Sequence, residues 1–177
     1  MNKVSQKVAA ATHNQYYGAS GFTSVKAFFA NYANFSGRST RSEYWWFTLF
    51  ASIFSMIATI GSSIFVITQL LDKLDQFTSG VSGWQMLLSF GGVLWLVIVW
   101  GVIGVGVLLP SLALVVRRFR DAGVHWSVYV LLWLINLVWA LTHLHDNVNL
   151  TYWVSIPVSV IMVVIEVLPS KNPPQEP

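Results

Sequence analysis

Two stretches without a charged side chain, about Trp45 to Leu70 and Met86 to Val116, constrain this chain more than anything else in it. A helix needs about 20 apolar residues to cross a bilayer. The first stretch is long enough to span with some tilt, and the second is too long for one straight perpendicular helix. Shorter apolar runs follow at about Trp126 to Thr142 and Tyr152 to Leu168, near the lower end of spanning length. Hydrophobic residues make up 55% of the chain and charged residues 10%, against about 25% charged in ordinary soluble domains. The excess apolar surface calls for lipid. The expected fold is all-α, a polytopic membrane protein with four transmembrane helices in a single domain over 24–168. Pro169 stops the last helix and leaves 169–177 as a short cytoplasmic tail. Residues 1–23 lack the apolar core of a cleavable signal peptide and read as a flexible cytoplasmic extension.

Ahead of the first crossing, Ser24 is placed to cap a short helix. Within it Val25, Phe28, Phe29 and Tyr32 recur at helical spacing and form one apolar face. Such an amphipathic helix suits the membrane interface, and its stripe suits a partner protein equally. The cations then set the orientation. Lys3, Lys7, Lys26, Arg38 and Arg41 precede the first crossing, Arg117, Arg118 and Arg120 separate the second from the third, and Lys171 follows the fourth. That places nine of the ten Lys and Arg residues on one side, with Lys73 opposite. By the positive-inside rule this side is cytoplasmic, as are both termini. Trp45, Trp46 and Trp126 fall at the inner boundary, and Trp84, Trp139 and Trp153 near the outer one, as an aromatic belt requires.

Inside the crossings the pattern concerns packing. Ala51, Ser55, Thr59 and Ser63 recur every fourth residue, a small-residue ridge that lets a neighbouring helix come close, within the chain or in a homo-oligomer. Gly101, Gly104 and Gly106 add close-approach positions but do not form a G-x-G-x-x-G phosphate loop. Pro110 removes the backbone bond to Gly106, so a bend is expected there. Asn136 is expected to hydrogen-bond to another helix.

Two segments carry a family resemblance. Phe35, Gly37, Arg38, Arg41, Glu43, Tyr44 and Trp45 have the form F-x-G-R-x-x-R-x-E-Y-W, and Leu109 to Gly123 contains Arg117-Arg118-Phe119-Arg120-Asp121. The chain resembles the YhaH-like bacterial inner-membrane family (domain of unknown function 805) over about Val25 to Lys171. In the second segment that family usually has R-R-L-H-D, so Phe119 and Arg120 depart from it. Its glycine- and asparagine-rich tail is represented here only by Pro169 to Pro174. The resemblance implies a bacterial inner-membrane location without an established activity, and no catalytic residue carries over.

Chemistry is sparse. Cysteine is absent, which excludes disulfides, thiolate metal sites and cysteine nucleophiles. No H-E-x-x-H, G-x-S-x-G or Walker loop occurs, an enzyme is disfavoured, and neither a cofactor nor nucleic-acid binding is indicated. Arg38 with Arg41, and Arg117 with Arg120, are each three apart, so each pair would share a helix face at the cytoplasmic boundary. Together with Arg118 they form a collar suited to an anionic headgroup or a partner protein. The same arginines also serve as topology anchors, satisfied by Glu43 or Asp121, with Arg117 to Asp121 an i, i+4 pair. Glu166, near the end of the last apolar run, is expected to reach the interface or pair with Arg117 or Arg118. His143, His145 and Asp146 resemble a metal half-site, but two histidines and one acid fall short of a closed zinc set. The leading functional reading is a non-enzymatic membrane module binding anionic lipid or a protein through the collar. The alternatives are a small oligomeric transporter or channel along Ser55, Thr59 and Ser63, and a membrane enzyme acting on a lipid phosphate.

Overall fold

The computed structural model describes residues 12–78, 84, 91–142 and 148–171, with side chains at all of these except 75–78 and 148–151. Five helices account for most of them: α1 (Phe22–Ala30), α2 (Arg41–Thr78), α3 (Gly91–Asp121), α4 (Trp126–Thr142) and α5 (Val148–Val167). No strand occurs among the described residues. Both α2 and α3 are long and apolar enough to cross a membrane, and their most apolar segments are wholly unburied within the chain. Such exposure is untenable for the core helices of a soluble protein. With the shorter apolar α4 and α5, it indicates a membrane protein.

The ends of the helices explain themselves locally. α2 starts at Arg41, ahead of the apolar run, because Thr40 and Glu43 form the S/T-x-x-E start signal. The Thr40 hydroxyl accepts a hydrogen bond from the Glu43 amide at 3.2 Å. α3 likewise passes the last apolar residue, Val116, and includes the whole arginine motif. It is stopped by Gly123, whose φ of 79° suits a residue without Cβ. The Gly123 amide bonds to the Arg120 carbonyl and the Val124 amide to that of Phe119, the bond pair of a Schellman stop. His125 then accepts at Nδ1 from the Ser127 amide at 3.3 Å and caps α4. Pro110 and Pro157 lie inside α3 and α5.

The chain divides into two compact units. The first comprises Met1–Phe47 with Pro110–Pro177, the second Thr48–Leu109. In the first, α4 and α5 pack together, and α1 lies with the start of α2. Ser24, Ala27 and Phe28 are the buried face of α1, and the Phe28 ring stacks on Phe47 at 3.7 Å between centroids. This corrects the expected α1 in two respects. Ser24 is not the cap but lies in the first turn, donating to the Gly21 carbonyl at 2.6 Å. The inward face is rotated by one residue, leaving Phe29 and Tyr32 exposed. Small Ser24 and Ala27 allow the close approach, and Asn31 continues the same stripe into the polar interior.

In the second unit Trp100 donates its indole N–H to the Ser62 hydroxyl at 3.0 Å. The two residues line a cavity of about 620 Å³ together with Ser55, Thr59 and Ser63. Among the described residues the glycines of the second unit differ in how closely a neighbour approaches. A Cβ on Gly101, Gly104 or Gly106 would meet nothing within 4 Å, whereas one on Gly92 would lie 3.3 Å from the Phe65 ring.

Candidate functional site

Polar side chains form the centre of the first unit. Arg117, Arg118, Glu43 and Asp121 have no exposure, and Glu166 has 7%. An unpaired buried charge is costly, so the partners of each decide what the cluster is. Arg117 donates from Nε to the Ser39 hydroxyl at 2.9 Å and from one terminal nitrogen to the carbonyls of Asn31 and Asn34. Its other terminal nitrogen is 3.8 Å from the Glu43 carboxylate. Glu43 also accepts from Ser39 at 2.9 Å and from the Asn14 amide at 3.0 Å. Glu43 stands ahead of the charge-free stretch that begins at Trp45, and burial pushes its carboxyl up to about 7 against the opposing pull of Ser39, Arg117 and Asn14.

Asp121 is the second centre. Its carboxylate pairs with Arg118 at 3.0 Å and with Arg38 at 3.2 Å, and accepts from the Tyr17 hydroxyl at 2.9 Å and from Ser170. Burial, then the bond to Asp121, pushes the Tyr17 phenol up from its ordinary value, so it stays a donor. Arg118 continues to the carbonyls of Glu166, at 2.9 Å, and Leu168. The Glu166 side chain lies in the field of Arg118 and hydrogen-bonds with Tyr44.

One rule unites the arginines: each donates to main-chain carbonyls. Arg117 takes the turn after α1, and Arg118 and Arg41 take the end of α5, where Arg41 reaches Val167 at 3.4 Å. Arg38 takes Asp121 at 3.2 Å and Lys171, and Arg120 takes Phe35 and Gly37. Carbonyls at helix ends lack intrahelical partners, and a guanidinium offers five N–H donors in a fixed fork.

The sequence pairings are therefore redistributed. Arg38 and Arg41 do not share a helix face, because α2 starts at Arg41. Asp121 pairs with Arg118 and Arg38 instead of Arg117. Of the five collar residues, Arg117 and Arg118 are fully enclosed, Arg38 and Arg120 are half-buried and Arg41 is exposed. Ser55, Thr59 and Ser63 belong to the second unit. Asn136 is half-buried, with its carboxamide oxygen buried and without a partner among the described residues. His143, His145 and Asp146 lie outside the described residues, and those described contain no group of three metal-ligating side chains.

Asn14, Tyr17, Asn31, Ser39 and Ser170 were not anticipated. Residues 12–23, expected to be loose, are drawn in because Asn14, only 1% exposed, satisfies Glu43, Asn31 and the Arg38 carbonyl together. Gly37 explains its own place in the first motif. A Cβ there would lie 3.0 Å from both the Asn34 amide and the His13 carbonyl, and 3.1 Å from Arg117. Gly37→Ala is expected to cost about 1–3 kcal/mol through overpacking, read as a lower melting midpoint in detergent. An unchanged midpoint would show that the contact yields freely.

Both motifs fall within one matched stretch: the model of a protein family of unknown function, DUF805, matches residues 32–176. The chain belongs to the DUF805 family. No curated protein and no solved structure matches it. In this DUF805 protein the segment 12–31, ahead of the matched residues, supplies Asn14, Tyr17 and Asn31 to the buried cluster.

Proposed function

We propose that this DUF805 protein is a non-enzymatic module of a bacterial inner membrane that binds anionic lipid on its cytoplasmic face. In this reading α2 to α5 cross the membrane four times, with both termini in the cytoplasm, as the distribution of cations requires. The supporting observation is a charge balance. Within the first unit Arg117, Arg118 and half-buried Arg38 are grouped with the acidic side chains of Glu43, Asp121 and Glu166, three basic groups beside three acidic ones. Lys26, Arg41 and Lys171 are exposed and Arg120 half-exposed, with no further carboxylate among the described residues of that unit. Exposed Phe22, Phe29 and Trp126 give the same unit an apolar, interface-seeking surface.

The test is native mass spectrometry of protein extracted in mild detergent from mixed anionic and zwitterionic lipid. Charge-assisted hydrogen bonds contribute roughly 1.5–3 kcal/mol each, and about 1.4 kcal/mol is tenfold. Arg41→Gln with Arg120→Gln is therefore expected to reduce retained anionic lipid at least about tenfold, while Lys3→Gln with Lys7→Gln leaves it unchanged. Equal retention in the two double variants would reduce these arginines to topology signals. A copurifying protein lost only from the arginine variant would replace lipid with a protein partner. A transporter reading would draw on the open, mostly apolar groove of about 620 Å³ that includes the hydroxyls of Ser55, Thr59 and Ser63.

A further inference from the structure

The end of α3 and the beginning of α4 face each other across a second cavity, of about 330 Å³. Leu112, Val116 and Arg120 follow one another at four-residue spacing and form one stripe of α3. Trp126, Tyr129 and Val130 form the opposing stripe of α4, and Phe35 closes the side. Phe119 sets the Tyr129 ring in place by an edge contact at 5.5 Å. The lining is wholly apolar, with Arg120 contributing its stem. Arg120 and Trp126 lie at the arginine end of the cavity, and Leu112 lies two turns, roughly 12 Å, further along α3.

We infer that this cavity holds one anionic phospholipid, an acyl chain between the two stripes and the phosphate on Arg120. The inference rests on the lipid-binding reading above and assigns it a place and a stoichiometry. Three properties favour this occupant. A water-filled cleft is disfavoured because no polar group of the lining would bond to the water. The volume accommodates on the order of ten methylene-sized groups, each taken as roughly the 30 Å³ of a water molecule, which is the greater part of one acyl chain. Arg120 is the cation at its mouth, and one terminal nitrogen bonds to the carbonyls of Phe35 and Gly37. That contact orients the fork and leaves N–H donors for a phosphate oxygen. Trp126, 44% exposed, has the amphipathic ring that settles at headgroup depth.

Val130→Trp fills the cavity from a residue already 37% exposed, so the fold has little to accommodate. Full-length protein is incubated with an equimolar mixture of phosphatidylglycerol and phosphatidylcholine and then analysed by native mass spectrometry. The parent is expected to retain one phosphatidylglycerol. Val130→Trp is expected to lower that occupancy about tenfold or more, and Arg120→Gln to retain a lipid without headgroup preference. Normal occupancy in Val130→Trp, with loss in the Arg41 and Arg120 double variant, would overturn the cavity as the site and leave the charged-face reading standing. Normal occupancy in both would overturn both. A parent dimer that becomes monomeric in Val130→Trp would make the cavity an interface between copies and also overturn the inference.

Discussion

Arg117→Met is expected to cost about 3–5 kcal/mol, the loss typical of removing one partner from an enclosed ion pair. The substitution keeps the stem but deletes every donor to Ser39, Asn31, Asn34 and Glu43. Two carbonyls and the Glu43 carboxyl then lose a donor in a fully buried site. The pH dependence separates this from simple loss of packing. In the parent, the Glu43 carboxyl is raised from 4.5 to about 7, so its neutral form favours the folded state. That contribution is complete below the ordinary value and is lost as pH rises through about 7. Without the guanidinium, which pulls the carboxyl down, its value rises further. The variant's melting midpoint should therefore fall more steeply than the parent's between about pH 5 and about pH 8. Parallel curves would show that Arg117 and Glu43 are not coupled.

Asp121→Ala should be comparably damaging, about 3–5 kcal/mol, for a different reason. A carboxylate at the end of α3 opposes the helix dipole and is held there by Arg118 and Arg38 together. Its removal leaves two cations facing each other and releases Tyr17 and Ser170. Asp121→Asn, which keeps an acceptor of the same shape, should recover part of the loss. Limited proteolysis provides the readout, with new cleavage expected within 12–20 and near Ser170. A digestion pattern identical to the parent's would contradict the central role given to this carboxylate.

Helices were legible where a composition change marks them. α4 begins and ends where the apolar run does, at Trp126 and Thr142, because its whole length is apolar. The start of α2 and the end of α3 were less legible, since backbone capping extends both into polar sequence. Thr40 and Glu43 carried that signal for α2. Clustering of arginines was visible, but their fates were not: Arg117 and Arg120 are three residues apart on one helix, yet one is enclosed and the other reaches the surface. Partner choice depends on residues far along the chain, such as Asn14 with Glu43, for which no local periodicity exists. Asn14 lies in a stretch of polar residues whose composition is that of a loose tail, and only its contacts distinguish it.

Arg118 joins the Glu166 carbonyl 48 residues later in the chain. Ribosomal synthesis proceeds from the N-terminus, so this guanidinium emerges well before the two carbonyls it meets at the end of α5. Arg117 and Arg120 find their acceptors in residues already made, whereas Arg118 is completed only when the end of α5 arrives. Synthesis halted before that point yields a chain whose two longest helices are finished but whose Arg118 lacks its two carbonyl acceptors. Completion of the last helix is thus recorded in the surroundings of an arginine made much earlier.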